Sequence, residues 1–294
     1  ASEEYQGLLA EVDKLQSPSG NAVDWHRVIK LGDAVLQRQC KDLRVACHLA
    51  LARYHTERFA GLALLFLAAA TFSVMSNHLL GTWVSLEITT LPAAPLVVRA
   101  GVASPRRASW RDYLFSSVGL GIALLGILCL ARGHEEAGQT ATFFLDEIAA
   151  LPPLPPGIWE KLGLSLAILG LGTKLGLAPM YSWLPETYDE APPSVTALLA
   201  AVQFNCALVA LLRVLHLHRA GNESLVAGEL LVLGLASMAV STVSIISTRN
   251  IKRLLAYASI NHAGVIAIGL GVGKTTSYAV ILYVVSNAFI KAIL

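Results

Sequence analysis

Three ionisable residues sit inside long apolar runs: Glu87 in WVSLEITT, Lys174 in GLGTKLGLAP and Lys291 in SNAFIKAIL. A charge at the centre of a bilayer costs roughly 2.5–3.5 kcal/mol on insertion scales, so such a residue normally faces a partner or a water-filled cavity. The plain alternative is a structural ion pair or a lysine that snorkels to a span end. That alternative weighs most for Lys291, close to the end of the sequence. A lysine stripped of water gives up its proton more readily, and a nearby carboxylate favours the charged form. A lysine whose carboxylate partner moves closer or farther would therefore take up and release a proton. Proton uptake and release is the chemistry these residue types point to.

A helix break adjoins the lysine. The stretch GTKLGLAPMYSWLPETYDEAPPS holds Pro179, Pro185, Pro192 and Pro193, so no continuous helix can run from 162 to 215. Non-helical backbone at membrane depth is tolerated only where protein buries it or water lines it, and a lysine beside it suits a hydrated ion path. Pro179, Trp183 and Pro185 mark the break. Gln203 and Asn205 on the following span either line a polar path or bond between helices. His262 in YASINHAGVIAIG either relays protons or is structural. His216 and His218 are expected in a loop without a specific role.

The elements that must position these residues are apolar helices. The 294 residues are 55% hydrophobic and 14% charged, against about 25% charged in ordinary soluble domains. From about residue 61 onward, apolar stretches fall at roughly 62–77, 79–98, 113–131, 162–178, 194–215, 226–247, 254–272 and 278–294. Several reach the ~20 residues a helix needs to cross a bilayer. The reading is all-α: a polytopic helical membrane protein of about eight spans, one of them broken, behind a short soluble helical segment.

That segment, 1–62, carries amphipathic faces: Leu8, Leu9, Val12 and Leu15, then Trp25, Val28, Ile29, Leu31, Val35 and Leu36 with Asp24 as N-cap, then Leu43, Val45, Ala46, Leu49, Ala50 and Tyr54. Its polar, acidic start has no secretory-signal pattern. The loops at 99–112 and 248–253 and the flank before the first span are rich in Lys and Arg, whereas 132–161 is acidic. The cation-rich side is therefore expected in the cytoplasm, together with the N-terminal segment. A net charge of +2 and the absence of a basic stripe argue against nucleic acid as a partner. The four cysteines, Cys40, Cys47, Cys129 and Cys206, have no metal-ligand spacing, and no cofactor is expected.

GTKLGLAPMYSWLPETYDEAPPSVTALL resembles the signature of the antiporter-like proton-pumping subunits of respiratory complex I, membrane-bound nickel–iron hydrogenases and Mrp-type cation/proton antiporters. WVSLEITTLPAAPLVV, WRDYLFSSVGLGIALLGI and NIKRLLAYASINHAGVIAIG look most like the F-type subunit of hydrogenase-4. The resemblance implies that Glu87 is the carboxylate of the family's fifth helix, Lys174 the lysine of the broken seventh, and Lys291 a lysine of the central hydrophilic axis. It also implies redox partner subunits in a bacterial inner membrane. Ala200 and Asn287 depart from the pattern, since many members carry histidine at both positions. The helices here look like the central part of a longer core, incomplete at both ends.

Residues 1–65 are similar instead to the ImpA-type N-terminal domain of TssA proteins of type VI secretion, on the motifs VDW, KDLRVA and HTERFAGLA. A fusion and a chimera are both open at this point. Two other functions are open as well: a secretion assembly scaffold carried by the N-terminal segment, and a stand-alone Na⁺/H⁺ antiporter.

Overall fold

The computed structural model describes residues 3–15, 23–38, 45, 48–49, 51–53, 56, 59–97, 105–154, 157–218, 220–273 and 277–293. The chain divides into two compact units, 1–71 and 72–294.

In the first unit, helix α1 (Glu3–Val12) is followed by a single 3-10 turn and α2 is Trp25–Arg38. The Asp24 carboxylate accepts the Arg27 backbone N–H at 3.1 Å, the cap expected from its position before an amphipathic run. Leu8, Val28, Val35, Val45 and Ala52 form the core, with Trp25, Leu31 and Leu36 packed on it. The buried Glu11 carboxylate accepts from Lys14 at 2.6 Å and from the Asp24 N–H at 3.0 Å. The expected loop 17–21 and Cys40, Leu43, Ala46, Cys47, Ala50 and Tyr54 lie outside the described residues.

Helix α3 (Phe59–Met75) crosses the division between units. Beyond it come α4 (Leu79–Val97), α5 (Pro105–Glu136), a short α6 (Leu145–Ala150), α7 (Ile158–Leu175) and α8 (Trp183–Glu190). Helix α9 (Pro193–Leu198) continues through one π turn, Leu199–Gln203, into α10 (Phe204–His218). The last three are α11 (Glu223–Ser247), α12 (Ile251–Val272) and α13 (Ser277–Ile293).

Each apolar segment read from the sequence falls on a helix. Among the described residues, four helical stretches are long and apolar enough to cross a membrane: Ala108–Glu136, Pro193–His218, Glu223–Ser247 and Ile251–Val272. Val232, Leu235, Val243 and Ile246 on α11 are exposed, as lipid-facing side chains would be.

Two boundaries differ from the sequence reading. Helix α5 starts at Pro105, so 105–112 is helix rather than loop. Proline at a first helical position loses no intrahelical bond and arrives with helical φ, while Ser109 and Asp112 are buried rather than solvated. Likewise His216 and His218 belong to the last turn of α10, and His218 is buried.

Glycines set the packing of the second unit. A Cβ on Gly126 would stand 2.6 Å from the Ala167 nitrogen, one on Gly163 would stand 2.8 Å from the Leu130 side chain, and one on Gly119 would collide with the Thr173 hydroxyl. Helices α5 and α7 therefore run antiparallel in backbone contact. A Cβ on Gly234 or on Gly264 would lie 2.8 Å from the other's carbonyl oxygen, so α11 and α12 meet in the same way. Small residues at such crossings let helices approach where lipid supplies no hydrophobic drive between them.

Candidate functional site

Lys174 occupies the last turn of α7. The helix ends there because Gly176 takes a left-handed φ of 75°. Its N–H reaches the Thr173 carbonyl at 3.1 Å, while the Leu177 N–H reaches that of Gly172 at 2.9 Å. This double closure is a Schellman motif, and glycine adopts its left-handed residue without Cβ strain. Other orphaned groups of the break are met by side chains: the Trp183 indole donates to the Thr173 carbonyl at 3.0 Å, and the Ala178 N–H donates to the Ser237 hydroxyl at 2.8 Å. Pro185 is buried in the first turn of α8, where a missing N–H leaves no gap, and Pro179 is exposed in the connecting turn.

The Lys174 side chain is 1% exposed and its Nζ makes no hydrogen bond. A buried ammonium without partners is expensive. Two acids lie within electrostatic reach, Asp112 acting more strongly than Glu87. Two successive serines of α5 serve these acids: Ser116 donates to Asp112 at 3.2 Å and Ser117 donates to Glu87 at 2.6 Å. The second Glu87 oxygen is buried with no hydrogen bond. Glu87 thus lies within electrostatic reach of Lys174, and so does Asp112, an acid the sequence reading placed in a loop. Asp112 is 1% exposed. The Asp112–Ser116 spacing of four, once the helix is extended back to Pro105, was the available signal.

Gln203 lies in the π turn, buried, with neither terminal atom bonded. π turns inside α-helices occur often at functional sites. The Asn205 amide donates to the Ala201 carbonyl at 2.6 Å, while its oxygen is unpartnered. His262 stands apart from Lys174. It bonds the Tyr283 hydroxyl and lines a cavity of about 240 Å³ with Tyr188, Thr196, Lys252, Ser259 and Asn287. Ala200 lines it too, so both departures from the expected histidine pattern face the space that His262 occupies. Tyr188 links the two regions, since it lies beside Ser259 and within electrostatic reach of Asp112. Lys252 is held by the Asp189 and Ala191 carbonyls at 3.2 and 2.9 Å. Lys291 is on α13, and its side chain lies outside the described residues. Among the described residues no group of His, Cys, Asp and Glu is arranged to hold a metal ion.

The family described as NADH:quinone oxidoreductase/Mrp antiporter, TM, matches residues 76–294. The chain belongs to this family. Residues 1–76 match a second model, the N-terminal ImpA domain of the type VI secretion system. Within the antiporter family, the hydrogenase-4 component F homolog of Methylacidiphilum infernorum is 32% identical over 235 residues, covering 78% of this chain and 49% of that protein. NADH-quinone oxidoreductase subunit N of Coxiella burnetii is 29% identical over 233 residues, covering 78% and 47%. The chain therefore spans about half the length of these relatives. A subunit of the archaeal membrane-bound sulfane sulfur reductase shares the fold, with a TM-score of 0.72 at 21% identity, over 98% of this chain and 67% of that one.

Proposed function

We propose that the chain moves protons across a bacterial inner membrane as an antiporter-like subunit of a redox-driven complex, of the hydrogenase-4 or NADH:quinone oxidoreductase kind. The observation that carries this reading is the buried Lys174 amine beside a helix break, free of hydrogen bonds and within reach of two carboxylates. An amine in that setting has two stable forms. It is an ammonium when a carboxylate or water faces it, and neutral when they withdraw. Glu87 and Asp112 come from different helices, so a small change at either hands the proton on. Tyr188 and the cavity at His262 supply the next polar ground, with Gln203, Asn205 and Lys291 along the route. All eight apolar helices cross the bilayer in this reading, with 1–62 on the cytoplasmic side and 63–294 as the translocating part. The redox centres belong to partner subunits.

The test is Lys174→Ala in the complete membrane complex. Coupled proton movement is lost while peripheral redox activity partly survives. Unchanged proton flux would sink the assignment. A flux that needs sodium and no partner subunit would move the reading to a stand-alone antiporter. The ImpA match over 1–76 supports a second reading, a secretion scaffold, and co-purification with secretion sheath or baseplate proteins rather than hydrogenase subunits would favour it.

A further inference from the structure

Four helix ends meet at the extremity of the α5–α7 seam away from Lys174. His134 lies near the end of α5, Glu160 in the first turn of α7, His218 at the end of α10, and Asn222 at the cap of α11. All four side chains are buried, none more than 3% exposed. The two imidazoles pack edge to face with centroids 5.4 Å apart. Asn222 lies beside the Glu160 carboxyl, yet neither terminal atom of its amide completes a hydrogen bond.

The network fixes one tautomer. The Gln139 amide nitrogen donates to the Pro152 carbonyl at 3.1 Å, so the Gln139 oxygen is the atom 2.7 Å from His134 Nδ1. That oxygen can only accept, and Nδ1 must carry the hydrogen. The lone pair of a neutral His134 is therefore on Nε2, which is buried and unpartnered, as are His218 Nε2 and one Glu160 oxygen. Buried polar atoms in such number need water or a proton as partner. A cavity of about 220 Å³ borders the cluster, lined by Gly133, Glu136, Ala137, Leu154, Trp159 and Glu160.

We propose that His134, His218 and Glu160 form a buried, water-linked proton-binding station at this end of the seam, loaded and emptied through that cavity. A proton from water passes by the Glu160 carboxylate and binds His134 Nε2, making an imidazolium, and leaves by the same atoms. The two rings are not charged together, because two imidazolium rings at this separation repel, and the Gln139 oxygen that accepts from Nδ1 favours the charge on His134. The surrounding charges are occupied otherwise: Arg132 pairs with Glu135 at 2.8 Å, Asp146 accepts from Asn77, and Glu147 accepts from Thr142. Glu136 stands at the cavity. Proton binding stands on this geometry alone, and its place in transmembrane flux rests on the proposed function.

The test uses the full chain in lipid with ¹⁵N-labelled histidine. The His134 signals, assigned by loss in His134→Gln, show the neutral Nδ1–H form at high pH. They convert to the doubly protonated ring as the pH is lowered. A ring that stays neutral throughout, or that shows the Nε2–H tautomer, overturns the station. In the complete complex, Glu160→Gln, which keeps the side chain's shape, lowers proton flux several-fold; unchanged flux removes the station from the path. Lys174→Ala leaves the histidine spectrum intact, so failure of the proposed function and failure of the station are read separately.

Discussion

At one end of the α5–α7 seam a lysine shares its low-dielectric surroundings with two carboxylates. At the other, two imidazoles share theirs with one carboxylate and an amide. Between them the helices touch backbone to backbone through Gly119, Gly126, Gly163 and Gly170. A seam without side chains has little slack, because packed interiors resist small displacements. The two ends therefore differ in chemistry rather than in freedom to slide. Helix α7 places Lys174 in its last turn and Glu160 in its first, where the helix dipole favours a cation and an anion respectively. The lysine end lies against a broken helix. The histidine end opens through a cavity of its own.

Breaking the lysine end has the largest expected effect, total for Lys174→Ala. Asp112→Asn comes next and separates the two acids. It keeps the Ser116 contact but removes the charge that acts most strongly on Lys174. Proton flux in the complete complex falls by roughly tenfold, the effect of about 1.4 kcal/mol on a barrier. Glu87→Gln as a more damaging variant than Asp112→Asn would reverse the order of the two partners.

The contrast between what was legible and what was not follows the same seam. Glu87, Lys174 and the proline-marked break stood out because polar groups interrupt apolar runs there, and contrast of that kind survives in one dimension. Asp112 sits between Arg111 and the apolar run, so it read as the edge of a charged loop. Only the start of α5 at Pro105 puts it inside. His218 read as loop for the same reason: its burial depends on His134, 84 residues earlier in the chain. The π turn that carries Gln203 has no signature in LAAVQ, because its extra residue per turn is imposed by packing.

The seam itself can be loosened. Gly126→Leu places a side chain where a Cβ alone would be 2.6 Å from the Ala167 nitrogen. Overpacking typically costs about 1–3 kcal/mol, and here the obstacle is backbone, which cannot rotate away. The thermal midpoint in detergent falls, and proton flux falls with it if both ends depend on a fixed seam. Normal flux in a destabilised variant would show that each end works without the other.

The smallest effect tests the break rather than the charges. Trp183→Phe deletes the indole N–H that meets the Thr173 carbonyl at 3.0 Å, one residue before Lys174. A neutral hydrogen bond of this kind contributes a net of about 1 kcal/mol. Phenylalanine keeps most of the buried ring, so the loss is mainly that of the bond. The helix end then frays by a turn, and water enters beside the amine. Stability drops slightly while proton flux becomes less tightly tied to redox turnover. If coupling stays unchanged at the same loss of stability, the break is held by the Gly176 closure and the indole only fills space.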